Sequence, residues 1–223
     1  MRTALLAGST GLIGKQLLQI LLSNDRYDVV KALTRTQLDV THPKLKVIKV
    51  DYARLEDSKA ELQADDVFCC LGTTMAKAKS KKKFREIDFV YPLSLAKIVK
   101  QLGAEQLLIV SALGADKRSS VFYNQVKGEL EDALQPLNFQ ALHIFRPSLL
   151  LGLREEKRAG EDAAKIVYRI FWFLIPDKYK AIEAVKVAEA MVYYAERDQK
   201  GVFIHESREM QNLPSGNLSL PQS

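Results

Sequence analysis

The sequence predicts an α/β protein organised around one doubly wound, mostly parallel sheet. Short runs of β-branched and aliphatic residues alternate with longer segments whose apolar residues recur every three or four positions, which is typical of βαβ units. A length of 223 residues accommodates one such sheet with its covering helices. We therefore predict one domain over residues 1–205, which includes a lid or substrate-side insertion at 152–180, and a flexible tail at 206–223.

The predicted elements alternate regularly along the chain. Seven strands are predicted, at Thr3–Ala7, Val29–Thr34, Lys46–Val50, Asp66–Leu71, Gln106–Val110, Ala141–Phe145 and Val202–His205. Helices are predicted at Leu12–Leu22, Phe84–Leu102, Val121–Leu134 and Ala184–Glu196. Each helical segment places its apolar residues on one face, as a helix that covers a sheet must. Right-handed crossovers are expected between the parallel strands.

Composition excludes several classes of protein. Hydrophobic residues make up 47% and charged residues 27%, which is typical of a globular chain that forms its own core. The two cysteines, Cys69 and Cys70, are neighbours in an apolar run, so a disulfide framework is not expected. The most apolar stretch, Ile166–Ile175, is too short to span a bilayer and contains Arg169. Because no secretory leader precedes the first strand, we predict a cytoplasmic protein without a membrane span.

The formal charge of +6 suits an anionic ligand or an acidic partner but does not select between them. Part of the excess is a basic run after the fourth strand, made up of Lys77, Lys79, Lys81, Lys82, Lys83 and Arg85. We interpret this run as a solvated loop, with reception of an anionic substrate or partner as the alternative. Because the run lacks a series of interleaved aromatic side chains for base stacking, nucleic-acid binding is not expected.

A glycine-rich turn follows the first predicted strand and opens the first predicted helix. It consists of Gly8, Ser9, Thr10, Gly11, Leu12, Ile13 and Gly14. Glycines let the backbone approach a diphosphate, and the amide groups and positive dipole of a helix N-terminus bind its negative charge. The turn therefore predicts a dinucleotide site. The alternative is a glycine turn that only lets helix and strand pack closely.

The end of the second strand bears on the choice of dinucleotide. Arg35 lies about 20 residues beyond the glycine turn, where an acidic residue would instead bind a ribose hydroxyl. An arginine there favours the 2′-phosphate of NADP. Two alternatives stay open, since Arg35 could be a surface residue and the nearby Asp39 would suit NAD. After the third strand, Asp51 could cap the following turn.

The fourth strand ends in small and hydroxyl-bearing residues. The candidates for the floor of a cofactor site are Leu71, Gly72, Thr73 and Thr74. Such side chains let the backbone approach a ligand at the carboxyl edge of a parallel sheet. We interpret Cys69 and Cys70 as small buried apolar residues rather than redox groups, because adjacent cysteines in a strand have poor disulfide geometry.

Three residues after the fifth strand form a candidate catalytic set. Ser111 directly follows that strand, and Tyr123 and Lys127 stand four positions apart in the next helix. Residues four apart share a helix face, so the ammonium can favour the phenolate and allow proton exchange near neutral pH. The serine hydroxyl can hydrogen-bond a substrate carbonyl and stabilise the alkoxide formed on hydride transfer. A tyrosine and a lysine at this spacing also occur by chance. The interpretation therefore depends on the order in which the serine, the tyrosine and the lysine follow one another along the chain.

Several segments resemble the extended and atypical short-chain dehydrogenase/reductases. The closest likeness is to their Tat-interacting-protein group and to bacterial NAD(P)-binding, nucleoside-diphosphate-sugar-epimerase-like proteins. Besides the spacing of the glycine turn, it rests on CCLGTT from Cys69, SALGAD from Ser111, YNQVKGE from Tyr123 and FRPS from Phe145. The likeness runs from Leu5 to about Glu196.

The resemblance implies a Rossmann fold that binds NAD(P), with Ser111, Tyr123 and Lys127 as the catalytic triad. It also implies cofactor contacts at the ends of the third and sixth strands, by Asp51, Tyr52, Arg146, Pro147 and Ser148. Arg146 could instead form a structural ion pair. One departure concerns the asparagine that many members carry after the fourth strand, which is replaced here by Asp88 and weakens the case for a full proton relay.

Three functions are compatible with these residues. The first is an NADP-dependent oxidoreductase that transfers hydride to a small carbonyl or quinone-like substrate, with Tyr123 as acid and base. The second is an NADPH-sensing regulatory protein that acts through a protein partner, as members of the resembled group are reported to do. The third, an epimerase-like enzyme, is disfavoured by the short region after the sixth strand. We expect a monomer or homodimer, and no metal site, because His42, His143 and His205 are isolated in the sequence.

Overall fold

The computed structural model describes residues 1–151 and 181–213. Its centre is a sheet of seven strands: β1 Thr3–Ala7, β2 Val29–Thr34, β3 Leu45–Lys49, β4 Asp66–Cys69, β5 Gln106–Val110, β6 Ala141–Arg146 and β9 Gly201–Glu206. Every neighbouring pair is parallel, in the order β3-β2-β1-β4-β5-β6-β9. The prediction of a doubly wound, mostly parallel sheet is confirmed. A separate ladder pairs β7, Leu150–Leu151, with β8, Ile182–Glu183.

Helices connect the strands on both faces of the sheet. They are α1 Leu12–Ser23, α2 Met75–Ala78, α3 Lys81–Arg85, α4 Tyr91–Gln101, α5 Phe122–Leu134, α6 Ala184–Ala195 and α7 Ser207–Gln211, with 3-10 helices at Tyr52–Glu61 and Gln135–Leu137. Within the described residues, none of these helices is long and apolar enough to cross a bilayer.

The long helix predicted at Phe84–Leu102 is interrupted by a π-helical turn at Glu86–Val90. In a continuous α-helix the carbonyl of Asp88 would accept a hydrogen bond from residue 92, but Pro92 has no N–H group. The chain forms a wider turn instead, in which the amide of Tyr91 donates to the carbonyl of Glu86. Such turns frequently occur at functional sites. The turn holds Asp88, which is fully buried.

Alternate residues of the central strands contribute to two cores, one on each face of the sheet. Leu6, Phe68 and Leu108 pack towards α1 and α6. Leu5 and Val67, their neighbours in the strands, pack towards α4 and α5. Strands buried on both faces read as continuous apolar runs, which is how the sequence revealed them.

The flexible-tail prediction is corrected for its first residues. Strand β9 continues to Glu206 and helix α7 follows directly. Ser207 is buried, and its hydroxyl accepts a hydrogen bond from the amide of Ser148 at 2.7 Å. Met210 is also buried, so contacts distant in sequence order a segment that lacks apolar periodicity. The predicted insertion at 152–180 and the last part of the tail, 214–223, lie outside the described residues.

Two of the histidines, isolated in sequence, meet in a buried polar cluster between β6, β9 and α7. Nδ1 of His143 lies 3.0 Å from Nε2 of His205, whose other ring nitrogen lies 3.0 Å from Oε1 of Glu209. Among the described residues, His143 Nε2 has no hydrogen-bond partner. Burial, followed by repulsion from His205, lowers the pKa of His143 to about 4. His143 is therefore neutral at physiological pH.

This cluster predicts a loss of stability in acid. The unfolded histidine protonates near pH 6.5 whereas the folded His143 resists protonation until about pH 4, so the unfolded chain gains protons first as the pH falls. The free energy of unfolding should therefore drop by up to about 3 kcal/mol across this interval. In His143→Leu the difference in unfolding free energy between pH 7 and pH 4, measured by urea titration, should shrink by this amount. His42→Gln is the matched control and should keep the full difference. An identical acid loss in His143→Leu would contradict the assignment.

Candidate active site

A cleft of about 1380 Å³ lies where the carboxyl ends of β1, β4, β5 and β6 meet. In open parallel sheets, ligands bind at this edge where the strand order reverses, here between β1 and β4. The predicted site residues that line the cleft are Thr10, Gly11, Leu12, Ile13, Leu71, Gly72, Thr73, Thr74, Ser111, Tyr123, Lys127, Pro147 and Ser148. Those that do not line it are Gly8, Ser9, Gly14, Arg35, Asp51, Tyr52 and Arg146.

The glycine turn is tight enough to require glycine at its two ends. Gly8 has a φ of +87°, and a Cβ there would lie 2.6 Å from the carbonyl oxygen of Cys70. A Cβ on Gly14 would lie 2.0 Å from the carbonyl oxygen of Gly8. Both glycines therefore hold β1, α1 and the end of β4 in close contact, as the packing interpretation of the turn requires.

The same turn also fits an anion. Gly11 precedes α1, no side chain of the described residues caps its N-terminus, and its first turn carries no acidic residue. The N–H groups of this turn and the positive end of the helix dipole are thus available. In addition, the buried hydroxyl of Ser9 has no hydrogen-bond partner among the described residues. The N-terminus of α1 matches the diphosphate of a dinucleotide.

The three residues predicted to contact the adenosine half of the cofactor lie in different surroundings. Arg35 is exposed at the end of β2. Asp51 accepts a hydrogen bond from the amide of Ala53 at 3.0 Å, which caps the 3-10 helix and lowers the pKa of this carboxyl. Tyr52 is buried, and its hydroxyl donates to the carbonyl of Leu33 at 3.2 Å. The side chain of Tyr52 therefore belongs to the core, and only its backbone is left to contact a ligand.

The loop after β4 is tied to the π-helical turn. The amide of Thr73 donates to Oδ2 of Asp88 at 2.8 Å, and the hydroxyl of Thr74 accepts from the amide of Lys77 and caps α2. Burial raises the pKa of the Cys69 thiol to about 11 and also raises that of Cys70. The two thiols are therefore protonated at neutral pH, as expected of small apolar side chains.

Tyr123 and Lys127 occupy the cleft side of α5. The ring of Tyr123 packs against Phe84, with centroids 5.4 Å apart. Lys127 is buried, and its ammonium lies 2.8 Å from Oδ1 of Asp88. Burial alone would lower the pKa of Lys127, but attraction to Asp88 and Tyr123 outweighs it and raises the pKa above its ordinary value. The ammonium therefore stays charged inside the protein.

A buried carboxylate that the sequence analysis missed engages Ser111. The serine hydroxyl donates to Oε1 of Glu131 at 2.5 Å. Arg146 donates to both oxygens of Glu131, at 3.0 and 2.5 Å, so the structural ion pair foreseen for Arg146 is present. The signal was available, because Glu131 stands two helical turns beyond Tyr123 on the same face. While this contact lasts, Ser111 can only accept hydrogen bonds from a substrate, not donate one as predicted.

Much of the basic run interacts with its own neighbours. Lys83 pairs with Glu86 at 2.9 Å, and Arg85 pairs with Glu129 at 2.5 Å. Lys77 lines the cleft. These contacts agree with a solvated surface rather than an organised receptor for a large anion.

The fold and the glycine turn define an NAD(P)-binding protein of the Rossmann type. The sequence profile of a family described as NAD(P)H-binding matches residues 8–149. Protein HTATIP2 of Rattus norvegicus is 35% identical over 198 residues, which are 86% of this chain and 80% of that protein. FMP52-1 of Scheffersomyces stipitis, named as mitochondrial, is 36% identical over 159 residues, 70% of each chain. The chain therefore belongs to this NAD(P)H-binding family.

A solved structure with a similar fold is the enzyme WbmH of Bordetella bronchiseptica in complex with NAD+. The TM-score is 0.68 at 16% identity, and the match covers 93% of this chain and 76% of that one. At this identity the likeness shows the shared fold and nothing finer.

Proposed function

We propose that the protein is an NADP-dependent oxidoreductase that reduces a small carbonyl or quinone-like compound. The observation that carries the proposal is that the Tyr123–Lys127 face of α5 opens into the same cleft as the glycine turn. A dinucleotide whose diphosphate lies at that turn extends along the carboxyl edge of the sheet, which is the side on which Tyr123 stands.

Each part of the cleft has a role in this proposal. Amide groups at the start of α1 hold the diphosphate, because the Ser9 hydroxyl is buried outside the cleft and the amide of Gly11 already donates to Gly8. Gly72, Thr73 and Thr74 form the floor beneath the cofactor, and Pro147 with Ser148 closes the nicotinamide side. The bound nicotinamide supplies the hydride. Tyr123 donates a proton to the substrate oxygen, and Lys127 holds its charge beside that phenol.

Arg35 selects NADP over NAD in this proposal. Replacing Arg35 with alanine should weaken NADPH binding roughly 10- to 100-fold, the size of one or two charge-assisted hydrogen bonds to the 2′-phosphate, and change NADH binding about twofold or less. Calorimetric titration of both nucleotides measures this, with Arg118→Ala as a control at another exposed arginine. Equal loss for both nucleotides would show that Arg35 does not contact the 2′-phosphate.

The proposed activity is tested by following nicotinamide absorbance while NADPH is mixed with aldehydes, ketones and quinones. We expect oxidation of NADPH with at least one acceptor. Tight binding of NADPH with no turnover on any acceptor, together with co-purification of a protein partner, would instead establish the sensor. Isomerised nucleotide sugar without net cofactor change would establish an epimerase.

The sensor remains a second candidate because of one observation. The hydrogen bond from Ser111 to Glu131 removes the donor that an efficient reductase would aim at its substrate. A protein that binds NADPH only to fix its surface would have no use for that donor.

The cytoplasmic location predicted from the sequence stays a prediction. Cell fractionation with an antibody against the chain tests it.

A further inference from the structure

The Asp88–Lys127 pair connects the cofactor floor to the helix that carries Tyr123. Oδ1 of Asp88 lies 2.8 Å from the Lys127 ammonium, and Oδ2 accepts the amide of Thr73. Both side chains are almost completely buried, with exposed fractions of 1% for Asp88 and 4% for Lys127. A Cβ on Gly72 would lie 3.3 Å from Oδ1 and 3.7 Å from the ammonium nitrogen. The pair is therefore enclosed, with little water to screen it.

The pair has almost no net charge as seen from Tyr123. A buried lysine alone would favour the phenolate, because a positive charge on the same helix face stabilises the ionised form of a neighbouring phenol. The carboxylate of Asp88 offsets most of that effect. An asparagine at position 88 would leave the ammonium uncompensated.

Most of the other titratable groups around Tyr123 are neutral or paired. On β4, the Cys69 thiol is protonated at neutral pH because burial raises its pKa. On α5 itself, the carboxylates of Glu129 and Glu131 are paired with arginines. From α2 and α3, Lys77 lines the cleft, and Lys81 lies over the ring of Phe122 at 5.1 Å rather than within the buried site.

We propose that Asp88 is a positioning residue that fixes Lys127 and offsets its charge, so that the Tyr123 phenol holds its proton more firmly than it would beside an unpaired ammonium. That the site carries out a reduction rests on the proposed function. Reduction adds hydride to the carbonyl carbon and the phenol proton to its oxygen, while NADPH becomes NADP+ and water afterwards reprotonates Tyr123. Oxidation of an alcohol needs the phenolate, which Asp88 disfavours.

The test is a titration of tyrosinate absorbance in the protein without nucleotide. The contribution of Tyr123 is obtained by subtracting the curve of the same protein carrying Tyr123→Phe. In Asp88→Asn the Tyr123 phenol should ionise about one to two pH units below its position in the wild type. Adding Lys127→Gln to Asp88→Asn removes both charges and should return the ionisation to within about half a unit of the wild type.

Glu129→Gln is the matched control, because this carboxylate lies on the same helix but pairs with Arg85. It should leave the Tyr123 titration unmoved. If Asp88→Asn does not fold, Lys127→Gln is compared with the double variant. Lys127→Gln keeps the Asp88 carboxylate without its partner, so the Tyr123 phenol should ionise at a higher pH in it than in the double variant. Coincident titrations within either comparison would overturn the proposal. Because no nucleotide is present, this result is independent of whether the protein turns over NADPH.

A second readout follows activity. With a substrate found in the acceptor panel, the pH at which alcohol oxidation reaches half its maximum should fall in Asp88→Asn by the same one to two units, roughly. A merely structural role for Asp88 would lower activity at every pH and leave the profile in place.

Discussion

Replacing Tyr123 with phenylalanine should lower turnover on the order of 10³-fold and leave the NADPH dissociation constant within about twofold of the wild type. The variant keeps the ring that packs against Phe84 and loses the hydroxyl that gives a proton to the substrate. Single-turnover absorbance measurements, with the protein in excess over NADPH and the acceptor saturating, separate the chemical step from binding.

The matched control for this variant is Tyr193→Phe, whose hydroxyl contacts Arg197 and does not line the cleft. It should retain full activity. A Tyr123→Phe protein that turns over at the wild-type rate would remove Tyr123 from the chemistry and leave the oxidoreductase proposal without a proton donor.

The second large effect is expected at the glycine turn. Alanine at position 14 would place a Cβ 2.0 Å from the carbonyl oxygen of Gly8, so α1 must move away from the turn. The N–H groups that face the diphosphate then lose their alignment. We expect Gly14→Ala to weaken NADPH binding at least about 100-fold, which corresponds to about 3 kcal/mol.

Gly103→Ala controls for the general cost of replacing a glycine. Gly103 has a φ of +91° but no atom within 4 Å of its added Cβ, and it lies before β5, at the opposite edge of the sheet. Its strain should cost about 1–2 kcal/mol of stability and leave NADPH affinity unchanged. Equal affinities in Gly14→Ala and Gly103→Ala, measured below both melting temperatures, would show that the turn does not hold the nucleotide.

The central strands could be predicted because their burial on both faces leaves apolar runs that few other structures produce. Strands β1, β2 and β5 begin and end where the sequence indicated, and the other four strands of the large sheet differ by at most two residues at an end. The short strands β7 and β8 were not predicted. The glycine turn could be predicted equally well, because backbone contacts at Gly8 and Gly14 leave no room for a side chain. Local chemistry was sufficient in both cases.

The missed features depend on contacts between distant parts of the chain. Spacing along α5 places Glu131 on the face of Tyr123, but it does not show that Glu131 meets Ser111 or that Lys127 meets Asp88, because each pair joins different elements. The order of residues 207–211 likewise depends on contacts such as Ser207 with Ser148. The π-helical turn was more accessible, because Pro92 already forbids a continuous helix at that point.

Two cationic side chains in and beside the site are paired with carboxylates. Lys127, which lines the cleft, and Arg146, which does not, are each paired with a buried carboxylate. The two cations therefore do not compete with the glycine turn for the phosphates of a dinucleotide.

Calorimetric titration of the folded wild-type protein with NADPH and with NADH tests the central claim most directly. The account predicts saturable one-to-one binding of NADPH, at least about tenfold tighter than that of NADH. Absence of saturable heat with either nucleotide, from protein that melts cooperatively, would contradict the assignment of the glycine turn and every catalytic role derived from it.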